Sequence, residues 1–184
     1  MRRILAVLAV CAAALIPAAV TAPALASPGG SHIGLNELFT SKNVATGLFL
    51  HAHCGTCEIT VQSGGVQQWI TQDAQTWLDT TTGQFVTTIE IALNGGTGGC
   101  IGWDGGLNEF ALFLCDSGFA DGSQQFYVPN NGTGDQFINA DATAHVPGHA
   151  HNIYATVNQS NDTVVPAGPG FGNFAVWAET CFNC

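Results

Sequence analysis

A pattern recurs three times along the chain: a turn carrying Asn and Thr leads into an apolar strand, and some tens of residues later a short segment ends in an aromatic side chain. The first copy runs from Asn43-Val44-Ala45-Thr46-Gly47-Leu48-Phe49-Leu50 to Gln67-Gln68-Trp69. The second runs from Asn94-Gly95-Gly96-Thr97-Gly98-Gly99-Cys100-Ile101 to Gln124-Gln125-Phe126, and the third, more divergent, from Asn139-Ala140-Asp141-Ala142-Thr143-Ala144-His145-Val146 to Ala175-Val176-Trp177. A unit this small cannot bury its own apolar face, whereas three units packed around an axis share one core.

Between the copies, short β-branched and aromatic stretches alternate with Gly- and Asn-containing turns. Examples are Glu58–Gln62, Gln84–Ile91, Phe110–Leu114, Ile153–Val157 and Phe174–Trp177. No stretch keeps a helical period over three turns, so the chain reads as all-β, a barrel or a sandwich. The repeats resemble the ricin-type β-trefoil lectin family, whose units read Asn-x-x-Thr-Gly-x-x-Leu and then Gln-x-Trp. The resemblance implies a β-trefoil, with the β-sandwich as the alternative. It also implies that Trp69, Phe126 and Trp177 lie in a shared core, and that Cys100 and Cys115 form a bridge within the second repeat. In sugar-binding members an Asp follows the Cys-Leu pair. Here that place holds Gly102, with Asp104 two residues later, and the corresponding places in the other copies are read as His51 and Pro147.

The first 26 residues read as a secretory signal: Arg2 and Arg3, an apolar run from Ile4 to Val20, and the small-x-small site Ala24-Leu25-Ala26. Residues 27–37 are expected to be a loose tail and 38–184 one domain. The expected location is therefore extracellular. The whole chain carries a formal charge of −10 with only 3 Lys and Arg. Removal of the signal leaves Lys42 as the sole Lys or Arg, so neither nucleic acid nor an anionic membrane is an expected partner. A neutral, hydroxyl-rich surface suits a neutral glycan or polysaccharide, and low charge density is compatible with self-association.

Outside the signal stand Cys54, Cys57, Cys100, Cys115, Cys181 and Cys184. An even number in an exported chain predicts three disulfides, with 15 possible pairings and no free thiol. Cys54 to Cys57 and Cys181 to Cys184 are both Cys-x-x-Cys motifs. In a trefoil the last strand closes against the first, so the two motifs could cross-link.

Two constellations are candidates for ligand chemistry. Trp103-Asp104 lies in a glycine-rich turn and pairs a stacking ring with a carboxylate, the two contacts a sugar uses, although such a pair also serves to cover a barrel end and cap a turn. His51 and His53 share one strand face, as would His149 and His151, giving two imidazole pairs for Zn or Cu; the expectation is nevertheless no cofactor. There is no Gly-x-Ser-x-Gly, no His-Glu-x-x-His and no evident carboxylate pair, so no catalysis is expected. The reading is a secreted, non-catalytic glycan-binding module. The alternative is a protein-binding or self-assembling module, an inhibitor or coat subunit, on the same scaffold.

Overall fold

The computed structural model describes residues 33–53, 57–79, 82–95, 99–115, 122–145 and 152–183. The expected signal segment lies outside these residues, as do Cys54, Cys184, Pro147, His149 and His151.

Twelve strands form one sheet: β1 Leu38–Asn43, β2 Phe49–Ala52, β3 Ile59–Gln62, β4 Trp69–Asp79, β5 Gln84–Leu93, β6 Gly99–Asp104, β7 Glu109–Leu114, β8 Phe126–Tyr127, β9 Ile138–Asn139, β10 Tyr154–Val157, β11 Val164–Ala167 and β12 Trp177–Cys181. All strand pairs are antiparallel. Six strands act as staves in the order β12-β1-β4-β5-β8-β9. The circuit is nearly closed, because Asp135, just before β9, bridges to Trp177 of β12. The other six strands form three hairpins, β2–β3, β6–β7 and β10–β11. Each hairpin leaves the end of a stave by one pairing: Lys42 with Phe49, Ala92 with Cys100, and Ile138 with Tyr154. The chain is thus an all-β, single-domain, barrel-like fold with a threefold order.

The register identifies equivalent positions. Asn43 faces Trp177, Leu93 faces Trp69, and Asn139 faces Phe126. The second copy therefore aligns on Leu93 rather than on Asn94. Asn43 and Asn139, both fully buried, act alike. Each side-chain amide donates to the carbonyl before the opposite aromatic, Val176 at 3.3 Å and Gln125 at 3.5 Å. Each Oδ1 accepts an amide three residues on, from Thr46 at 3.1 Å and Ala142 at 2.8 Å. The bond fixes the chain as it leaves the stave and satisfies groups that would otherwise be buried unpaired.

Trp69, Phe126 and Trp177 are at most 1% exposed. The indole of Trp69 donates to Leu50 O at 3.4 Å and that of Trp177 to Ala155 O at 3.1 Å, the same relation in two copies. Phe110, Phe126, Phe137 and Trp177 run in sequence with centroids 5.7, 6.5 and 5.7 Å apart.

The third copy departs from the expected layout. Its first segment, expected to run into a strand, is instead the short helix α1, Ala140–His145, with Thr143 Oγ1 donating to Asn139 O at 2.7 Å. The strand equivalent to β2 begins only at Tyr154, so the equivalent of His51 is Thr156, not Pro147. Phe174 and Ala175, expected to begin a strand, instead end the 3₁₀ turn Gly172–Ala175 before β12. The tail also ends sooner than residue 37: Asn36 N–H donates to Thr71 O at 3.0 Å and Thr71 Oγ1 to Gly34 O at 2.5 Å.

Candidate functional site

The turn between β6 and β7 holds Trp103 and Asp104. Asp104 Oδ1 accepts the amides of Gly106 at 2.8 Å and Leu107 at 3.1 Å, so this oxygen organises the turn itself. Trp103 is half-buried and packs against the core, with its indole nitrogen shut off from water and without an acceptor. The position where the resembled family carries Asp is filled in all three copies. A Cβ on Gly102 would lie 2.8 Å from Phe113 Cδ2 and 3.0 Å from Gln124 Cγ, leaving no room for an acid. His51 is half-buried in the first copy, and Thr156 is buried in the third with its hydroxyl on Tyr154 O at 3.4 Å.

Burial, then the neighbouring His53, holds the His51 imidazole below its ordinary value. Among the described residues no three His, Cys, Asp or Glu side chains gather as a metal-ligand group. Cys100 and Cys115 are bridged, with Cα atoms 4.9 Å apart. Cys181 is also disulfide-bonded. Cys57 corrects the expectation of no free thiol. It is an exposed free cysteine at φ 62, its N–H on His53 O at 3.0 Å and its carbonyl held by Leu112 N–H at 2.7 Å. This backbone anchoring fixes it on the solvent side of the β2–β3 turn.

A pocket of about 210 Å³ opens beside the third hairpin, between the turn before β9 and the segment joining β11 to β12. Tyr154 and Phe171 supply rings, and Asn131, Gln136 and Asn173 supply amides; no charged residue lines it. Phe171 is 51% exposed. Burial, and then the Asp79 carboxylate, raises the Tyr154 phenol above its usual value, with a bond to Asn152 opposing the shift. The hydroxyl therefore stays neutral, able both to donate and to accept. The pocket is ordered by its own turn: Asn131 Oδ1 accepts Thr133 Oγ1–H at 2.7 Å and the amides of Thr133 and Gly134 at 2.9 and 3.2 Å. Gly134 allows the close approach to β12, since a Cβ there would lie 2.5 Å from Trp177 O.

Behind this turn lies a carboxylate pair. Asp135 is buried, and its carboxyl acts on that of Glu179, two residues beyond its bridge partner Trp177 on the same face of β12. Asn130 Nδ2 donates to Asp135 Oδ1 at 2.8 Å and Ser41 Oγ to Glu179 Oε1 at 2.9 Å. Burial, and then the charge and hydrogen bond of Asp135, hold Glu179 well above the usual carboxylate range, against the weaker pull of Ser41 and a backbone amide. Sequence reading missed both the pair and the pocket. The one available signal was that Asp135 stands four residues before Asn139, as the apolar Phe39 does before Asn43.

No protein-family profile and no curated protein sequence matches the chain. Solved structures do. One is the GlcNAcα1-4Gal releasing endo-β-galactosidase from Clostridium perfringens, with TM-score 0.60 and 10% identity over 80% of this chain. The match spans 33% of the length of that enzyme. Another is a salivary protein from Culex quiquefasciatus of the Cysteine and Tryptophan-Rich family, with TM-score 0.59 and 14% identity over 83% of this chain and 98% of that one. At these identities the likeness is one of fold.

Proposed function

We propose that the chain is an exported, non-catalytic β-trefoil that binds neutral glycans at the Tyr154–Phe171 pocket. The trefoil reading is supported by six staves, three hairpins and threefold-equivalent aromatics. The observation that carries the glycan reading is a pocket joining two aromatic rings to three amides without a charged side chain. A sugar offers C–H faces to rings and hydroxyls to amides, and needs no ionic partner. The likeness to a chain that acts on a galactoside agrees with this class of ligand. The Trp103–Asp104 turn ranks second as a site, because its ring is half-buried and its carboxylate holds the turn.

A glycan array on the mature protein tests the reading. Phe171→Ala should lower retention about tenfold, near the upper worth of one aromatic contact, with little change in melting temperature. Tyr154→Phe should weaken it less, and binding should be insensitive to salt. Loss on Trp103→Ala instead moves the site to the β6–β7 turn, and no retention of any neutral glycan refutes the reading.

One feature favours the protein-binding alternative. Leu78 and Phe85, 43% and 75% exposed, face each other near the tip of the β4–β5 arm. A wild-type oligomer that Phe85→Ser dissolves in sedimentation would support that reading.

A further inference from the structure

The three junctions between staves differ at one level. Phe39 faces Trp69, Ile89 faces Phe126, and Asp135 faces Trp177. Two residues past each aromatic stand Thr71, Val128 and Glu179. Only the third junction holds two acids, and both backbone bonds of its bridge run through one of them: Asp135 N–H to Trp177 O at 2.8 Å and Trp177 N–H to Asp135 O at 2.9 Å. The same short turn carries Asn131 and Gln136 into the pocket.

Ser41 faces the pair from β1 and Asn130 from the turn, both neutral. On β12 the next residue on that face is Cys181, which is disulfide-bonded and does not titrate. Lys42 is the sole Lys or Arg among the described residues; it alternates away from Ser41, and its ammonium lies 5.5 Å over the Phe49 ring. On β2, His51 is held below its ordinary value by burial and then by the neighbouring His53.

We propose that the proton shared by Asp135 and Glu179 latches the third junction, so that the junction, and with it the turn bearing Asn131 and Gln136, loosens as that proton is lost. The pair titrates as a unit. Because Glu179 holds its proton more tightly folded than unfolded, the latch contributes fully below the ordinary carboxyl range, about pH 4.3, and is lost as pH rises through the higher folded value. The consequence for glycan retention rests on the function proposed above; the loosening itself does not.

Amide hydrogen exchange on the mature protein at pH 5 and pH 8, corrected for intrinsic rates, separates the two. Protection at Asp135 and Trp177 should be lost between the lower and the higher pH, while Thr71 in the first junction holds. Glu179→Gln, which mimics the protonated acid, should abolish the fall. Equal changes in both junctions, or the same fall in Glu179→Gln, overturns the latch. Should that variant not fold, the wild-type comparison between junctions decides alone. Exchange needs no ligand, so a latch that behaves as expected without any glycan retention would refute only the glycan reading.

Discussion

The first and third junctions of the barrel are built on the same plan with different materials. In the first, Phe39 packs opposite Trp69, and the nearby Thr71 hydroxyl is satisfied by the entering chain at Gly34 and Glu37. In the third, Trp177 keeps its place and its indole bond to the hairpin, but Asp135 stands opposite it and Glu179 follows. The large aromatic is fully buried in both, where a side chain of that size removes the most apolar surface from water. The residue facing it is freer, because its environment is local to one junction. Acids placed there take hydrogen bonds from Ser41 and Asn130, and the Asn130 bond also lies within the turn that lines the pocket. The less hydrophobic junction is therefore the one beside the candidate binding surface, as expected where a fold sacrifices packing for a site.

The comparison breaks first at the aromatics. Trp69→Ala and Trp177→Ala should each destabilise by about 3–5 kcal/mol in denaturant unfolding, since each empties a fully buried site. A Trp177→Ala protein as stable as wild type would mean that the third junction does not share the common core.

A smaller effect, of opposite sign, would sharpen the contrast. Replacing the acids together by the residues of the other junctions, Asp135→Ile with Glu179→Thr, should leave stability unchanged or raise it by about 1–4 kcal/mol at pH 7, as seen when buried ionisable groups give way to packed side chains. Chemical denaturation over a range of pH checks this, and the gain should shrink as pH falls and the wild-type pair takes up its proton. A loss of several kcal/mol would show the acid junction to be a net stabiliser.

Much of this plan is legible in the sequence. The three aromatics are, because each ends a short segment that returns at long spacing, Gln-x-aromatic in the first two copies and Ala-Val-Trp in the third. The limits are equally physical. The second copy slips by one residue because Asn94 looks like Asn43, yet only the pairing shows that Leu93 faces Trp69. The third copy conceals its strand because α1 intervenes where a strand was expected. The acid pair is invisible because Asp135 and Glu179 are far apart in the chain and meet only when the barrel closes. Trp103 and Asp104 stood out as adjacent residues of suggestive chemistry, and adjacency alone does not reveal that Oδ1 is spent on the Gly106 and Leu107 amides.

The smallest expected effect concerns that turn. Asp104→Ala should cost roughly 0.5–1.5 kcal/mol, the net worth of a turn hydrogen bond, and should leave glycan retention at the Tyr154–Phe171 pocket unaltered. Differential scanning calorimetry and the array together check it.

The pairing of β1 with β12 sets an order of events. Ser41 and Glu179, which bond across that pair, are 138 residues apart. A ribosome delivering the chain from its N-terminus presents the first stave long before its partner exists. Until the last strand emerges, Leu38–Asn43 has an open edge on that side and Trp177 is not yet there to complete the axis. Closure of so long a loop carries an entropic cost that only the complete set of contacts repays, which makes folding late, cooperative and slow relative to chains with local pairing. The barrel therefore closes last, around the strand that is made last.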